Sequence, residues 1–180
     1  MPEAVKQYNR TAKLLHWASA LLIIALFALG LWMVDLTYYS EWYNLAPYWH
    51  KSIGLCLFAL TLFRIIWKQL TAAPDIEGEK WEVQGAKIAH FSLYLLLLCI
   101  FISGYMISTA DGRSIELFNW LSVPGFGSFF ENQEDIAGVI HYYLAVTLIT
   151  LAVVHALAAL KHHFINKDST LNKMLRIKQQ

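Results

Sequence analysis

Three features of the sequence predict an all-α integral membrane protein, a four-helix transmembrane bundle with both termini cytoplasmic. Of its 180 residues, 57% are apolar and 15% charged, and the mean hydropathy is +0.43, which is greasy for a water-soluble domain of this size. Four apolar runs, residues 14–34, 48–67, 88–108 and 137–160, each have about the 20 residues that a helix needs to cross a hydrocarbon core about 30 Å thick. Lysines and arginines gather at alternate ends of these runs, as the positive-inside rule requires.

These observations give one domain, residues 1–180, with helices at about 12–34, 47–68, 86–108 and 137–162. The first run has the length of a span and lacks a small-residue cleavage site, so it is expected to stay as helix one instead of leaving as a signal peptide. The second and fourth helices return the chain, and three connections remain: an aromatic loop at 35–47, a polar connector at 68–87 and a longer loop at 109–135. Lys6, Arg10 and Lys13 precede helix one. Arg64, Lys68, Lys80 and Lys87 flank the second connection, and Lys161, Lys167, Lys173, Arg176 and Lys178 follow helix four. Lys51 and Arg113 alone fall on the opposite side, so loops 35–47 and 109–135 are expected to face outward. Tyr38, Tyr39, Trp42, Tyr43, Tyr48 and Trp49 then mark the outer interface, with Trp17 and Trp67 nearer the inner one.

The formal net charge of +1 gives no reason to expect a nucleic acid partner. Cys56 and Cys99 sit inside apolar runs and form neither a C-x-x-C nor a C-x-x-C-H pattern. A disulfide framework, a zinc-finger site and covalently attached haem therefore lack support.

The histidines carry the chemistry. His141 and His155 lie fourteen residues apart on helix four. At about 100° and about 1.5 Å per residue they share a face to within roughly 40° and stand about 21 Å apart along the axis. The topology gives every other histidine a depth: His50 joins His141 at the outer end, whereas His16 and His90 are both available to His155 at the inner end. Ionisable side chains inside a bilayer are costly and mark function by default, although a single membrane histidine also serves as an interhelical hydrogen bond. Two imidazoles above and below an iron are what a six-coordinate b haem requires, so each depth reads as a bis-histidine centre. His50 and His141 complete the outer one; spacing alone leaves His16 and His90 as alternatives for the inner one. Zinc and copper sites gather ligands at one depth, and no carboxylate or thiol accompanies these imidazoles.

Haem propionates at membrane depth need cations. Arg64, fourteen residues after His50, is the candidate for the inner propionates or for a lipid phosphate, with plain snorkelling as the rival. Lys51 and Arg113 are the candidates for the outer propionates. His162, seven residues beyond His155, stays within about 20° of the helix-four stripe and reads either as a proton-passing residue beside a quinone headgroup or as an interfacial anchor with His163 and Lys161. Gly54 and Gly104 read as positions of close approach, either to a neighbouring helix or to a macrocycle, with helix packing preferred. No residue reads as catalytic in its own right.

Several local patterns resemble the bacterial cytochrome b561 family, four-helix di-haem proteins related to the cytochrome b subunits of nickel-iron hydrogenases and formate dehydrogenases. They are the Lys13-Leu14-Leu15-His16-Trp17 opening, the His50-Lys51-Ser52-Ile53-Gly54 start of helix two, Ala89-His90 with Leu93-Tyr94 on helix three, and the closing His155, Lys161-His162-His163-Phe164 and Lys167-Asp168. The resemblance implies two non-covalent b haems, with His16 paired to His155 and His50 to His141, and leaves His90 beside the inner haem or on the quinone side. It also implies a multi-pass protein of the bacterial inner membrane, passing electrons between a periplasmic-side partner and ubiquinone or another quinone. One type of family member oxidises superoxide and reduces ubiquinone; another serves as a subunit of a larger redox complex, and a homodimer is a further possibility. From a different class, a non-redox scaffold or small transporter would use the same histidines structurally and would purify without colour. The 109–135 loop shelters the outer centre or docks a redox partner in either redox reading.

Overall fold

The computed structural model describes residues 7–175, so Lys6, Arg176 and Lys178, three of the cations used to orient the chain, lie outside the described residues. Four long helices dominate: α1 (Arg10–Met33), α2 (Trp42–Leu70), α3 (Lys80–Ser108) and α4 (Gln133–Lys161). All four are long and apolar enough to cross a membrane. α1 packs chiefly on α2 and α3 on α4, giving two helical hairpins side by side. One end of the bundle carries the α1–α2 and α3–α4 connections, the loop end; the other carries the start of α1, the end of α4 and the α2–α3 connector, the terminal end.

Local chemistry explains where the helices begin. The Asn9 side chain accepts from the Ala12 N–H at 2.8 Å and caps α1. Glu79 and Glu82 form a reciprocal capping box at the start of α3. These polar caps lie beyond the apolar runs, which is why α3 starts earlier than about residue 86. α2 also starts early, at Trp42, and takes in Pro47 as its sixth residue, still close enough to the N-terminus that little backbone hydrogen bonding is lost. Buried hydroxyls inside the spans bond back to their own helix, Ser19 to the Leu15 carbonyl and Thr61 to the Leu57 carbonyl, both at 2.7 Å.

The interior is thin and the exterior apolar. Leu21 and Ile24 are 68% and 61% exposed, an arrangement that suits lipid and not water. The buried centre is one leucine from each helix, Leu26, Leu57, Leu97 and Leu148. Leu148 stands seven residues from His141 and seven from His155, so this apolar layer separates the two histidine depths.

The 109–132 connection is ordered and holds a short antiparallel hairpin, β1 (Ile115–Leu117) with β2 (Leu121–Val123). Phe118 and Asn119 adopt positive φ in its turn. Ser52, fully buried, pins this hairpin to α2: its hydroxyl donates to the Glu116 carbonyl at 3.1 Å and accepts from the Phe118 N–H at 3.3 Å. At the other end, α4 continues as a π-helical turn (His162–Asn166) and the chain closes on a short helix, α5 (Asn172–Leu175).

Candidate metal centres

At the loop end, α2 delivers His50 and α4 delivers His141, with ring centroids 6.3 Å apart and planes inclined by 68°. At the terminal end, α1 delivers His16 and α4 delivers His155, 6.4 Å apart and inclined by 66°. These separations have a chemical meaning. An imidazole nitrogen binds a metal at about 2.0–2.1 Å and the ring centre lies about 1.1 Å further on, so two rings on opposite sides of one iron stand about 6.2–6.4 Å apart. His90, on α3, lies only 5.2 Å from His155 by ring centroids, too close for the two rings to enclose an iron between them. The terminal end thus holds three imidazoles, of which one pair has the sandwich spacing.

The tautomer of His141 is fixed by its surroundings. Its Nδ1 lies 3.2 Å from the Ile100 carbonyl and 3.0 Å from Ser103 Oγ, while Ser103 itself donates to that carbonyl at 3.0 Å. A carbonyl only accepts, so Nδ1 carries the ring proton and Nε2 keeps its lone pair for a metal. His50 is less satisfied: its Nδ1 is a buried polar atom without a hydrogen-bond partner among the described residues. Both rings lie against glycines of the neighbouring helix. A Cβ at Gly30 would stand 3.3 Å from His50 Cε1, and one at Gly104 would stand 3.2 Å from His141 Cε1. No side chain or backbone of a neighbouring helix comes within 4 Å of a Cβ at Gly54, so the close helix packing expected there is not seen.

Among the described residues, no three His, Cys, Asp or Glu side chains converge as a metal-ion site. Pairs of imidazoles fit instead a group that brings its own equatorial ligands, which is the donor set of a porphyrin iron. The residues present fit a non-covalent haem at each end.

The structure gives each candidate cation its own neighbours. Arg64 reaches His16, with a guanidinium nitrogen 2.8 Å from Nδ1. Arginine stays charged, so it donates and Nδ1 accepts, which puts the His16 proton on Nε2. Holding a metal through Nε2 would require the ring proton to sit on Nδ1, the nitrogen that Arg64 now contacts. Arg113, largely exposed, forms an ion pair with Asp111; Lys51 is exposed and makes no ion pair among the described residues.

His162 is no free surface anchor. Its side chain is 12% exposed, its Nδ1 pairs with Asp168, and its Nε2 lies 4.0 Å from Glu82, which also pairs with Lys161. The π-helical turn permits this, since it swings the end of α4 beneath α3 and lets the tail fold back. Lys173 then pairs with Glu77 at 2.8 Å and donates to the Asp75 carbonyl at 2.7 Å. The Lys173 bond to Glu77, with those from the Ser169 hydroxyl and N–H, holds the Glu77 carboxyl down at about 2, well below the usual carboxylate range. Reading the sequence alone missed Gly30, Ser103, Ser52 and this acid–base cluster, because each acts through a partner distant in the chain.

Residues 7–176 match the family described as prokaryotic cytochrome b561. The chain is 44% identical to cytochrome b561 homolog 2 of Escherichia coli over 172 residues, 94% of this chain and 92% of that protein. It is 30% identical to cytochrome b562 of Cereibacter sphaeroides, over 94% of this chain and 95% of that one. It is also 29% identical to a Yersinia pestis protein named probable superoxide oxidase CybB, over 94% and 96% respectively.

Proposed function

Because the chain belongs to the prokaryotic cytochrome b561 family, and so to a family of membrane electron-transfer proteins with b-type haem, we propose that it is a di-haem cytochrome of the bacterial inner membrane. It moves electrons between the quinone pool at its terminal end and a redox partner at its loop end, with both termini cytoplasmic. The observation that carries this reading is the pair of imidazole sandwiches, 6.3 and 6.4 Å across, at opposite ends of one bundle.

Bound b haem supplies reversible one-electron iron chemistry. The chain's own residues do the rest. His50 with His141, and His16 with His155, would hold one haem each, and an iron bound by two imidazoles would have no open site for oxygen. Ile100 and Ser103 orient His141 and make it a stronger ligand. Leu26, Leu57, Leu97 and Leu148 keep water out between the two ends. His162, with Asp168 and Glu82 beside it, is placed to hand a proton to a quinone reduced at the terminal end.

The second reading is superoxide oxidation at the loop end, favoured by the relative that bears that name. The charge of this end works against it. Asp35, Glu41, Asp111, Glu116, Glu131, Glu134 and Asp135 face Lys51 and Arg113, a net −5 from seven acids and two bases, which repels a small anion. The test of the main reading is haem per polypeptide on the purified chain, with a reduced-minus-oxidised spectrum: two six-coordinate b haems are expected. His50→Ala or His141→Ala should remove one and keep the other; loss of both from a folded variant, or a colourless wild type, refutes it.

A further inference from the structure

Arg64 and Lys68 stand four residues apart on α2, within the apolar segment that also holds Leu62, Phe63, Ile65, Ile66 and Trp67. Two like charges at this spacing share a helix face and repel, and repel harder as water is excluded. The structure nevertheless gathers them. The Arg64 guanidinium lies 5.4 Å from the Tyr94 ring centroid and the Lys68 ammonium 5.6 Å from the same centroid. Neither makes an ion pair with a carboxylate among the described residues. The ring quadrupole attracts each cation but cancels neither charge.

We propose that Arg64 and Lys68, converged on Tyr94, form a clamp for a doubly anionic group at the terminal end of the bundle, and that its ligand is the carboxylate pair of the haem held by His16 and His155. This deepens the di-haem reading and rests on it. The two heads offer complementary chemistry: a planar fork with five N–H donors for bidentate carboxylate binding and a compact ammonium for a second oxygen. Arg64 already lies at His16, so its guanidinium stands beside the ring that would hold this haem. Tyr94 holds both heads by its ring and positions them without touching iron. A lipid phosphate has the same anionic chemistry and is the other source.

The test uses the full chain in a phosphate-free maltoside detergent, with Arg64→Gln, Lys68→Gln, the double variant, Tyr94→Phe and Tyr94→Leu. Haem retention, the midpoint potential of each haem and bound phosphorus per chain are read together, and circular dichroism checks folding. Each lost cation should weaken retention of the terminal-end haem about tenfold, as loss of a charge-assisted hydrogen bond does, and lower its potential while the loop-end haem keeps its own. Tyr94→Phe keeps the ring and should match wild type; Tyr94→Leu should resemble the single cation variants. A fall in bound phosphorus with unchanged haem properties assigns the clamp to a lipid headgroup and overturns the carboxylate assignment. No change in any readout reduces the pair to snorkelling cations and overturns the clamp. Should the wild type hold no haem, the di-haem reading fails by itself and the carboxylate assignment with it, and the phosphorus readout still decides whether an anion clamp exists.

Discussion

Adding a methyl group at Gly30 or Gly104 probes the imidazole slots at the loop end most directly. The new Cβ would stand 3.3 Å from His50 Cε1 in the first case and 3.2 Å from His141 Cε1 in the second, whereas ordinary van der Waals contact is 3.4–4 Å. Each ring must therefore shift by a few tenths of an ångström, while metal–ligand distances tolerate only about 0.2 Å. Overpacking of this kind costs about 1–3 kcal/mol, which corresponds to about 5- to 150-fold weaker haem retention at that end. The helix gains at the same time, since alanine is favoured over glycine by about 1 kcal/mol in a helix interior. Gly85→Ala, on α3 far from the loop end, is the internal control, because nothing lies within 4 Å of its Cβ and only the helix gain applies. The assay is competition of the purified variants with a haem scavenger, followed at the b-type absorption bands. Gly30→Ala and Gly104→Ala should each release one haem early and keep the other, and Gly85→Ala should match or exceed wild type. If all three behave alike, the rings do not depend on those slots and the proposed loop-end ligation loses its structural basis.

Three further outcomes follow from the same geometry. His90→Ala should retain two haems and His16→Ala one, since only the 6.4 Å pair has sandwich spacing; a single-haem His90→Ala protein overturns that pairing. Glu77 carries a depressed pKa in the folded chain, so its contribution to docking of the tail is complete above the ordinary carboxylate range and is lost as pH falls toward about 2. Protection factors for hydrogen exchange in the 169–175 segment, taken against the intrinsic rate at each pH, should therefore fall between those limits in wild type, and Glu77→Gln should flatten the profile. With a net −5 at the loop end, raising ionic strength from about 0.01 to about 0.15 M shortens the Debye length from about 30 to about 8 Å and should slow reaction with hexaammineruthenium while speeding ferricyanide. Equal salt slopes for the two probes would remove the electrostatic argument against a small anionic substrate.

The spans were legible in the sequence because hydropathy alone sets them, and their ends were not, because Asn9, Glu79 and Glu82 extend helices with polar caps that a hydropathy window reads as loop. The helix-four stripe was legible for a similar reason. A period of about 3.6 residues is local and survives in any packing, so His141 and His155 point one way whatever surrounds them. What a period cannot give is the rotation of one helix against another. His16 and His90 both fall at the depth of His155, and only their separations from it, 6.4 and 5.2 Å, distinguish a sandwich from a neighbour. Gly30 is invisible for the same reason, since its meaning is the ring of another helix.

The cations show a subtler limit. Lys161 and Lys173 count toward orientation as if they were free, yet they are bound to Glu82 and Glu77. The positive-inside rule survives this because it responds to lysine and arginine near the membrane and takes little account of acids. A functional charge argument cannot use the same count: what a partner meets is what remains after internal pairing. At the terminal end that remainder includes Arg64 and Lys68, which have no carboxylate partner among the described residues although they are drawn onto one tyrosine ring. Orientation signal and binding site are thus written in the same residues, and only three-dimensional pairing separates them.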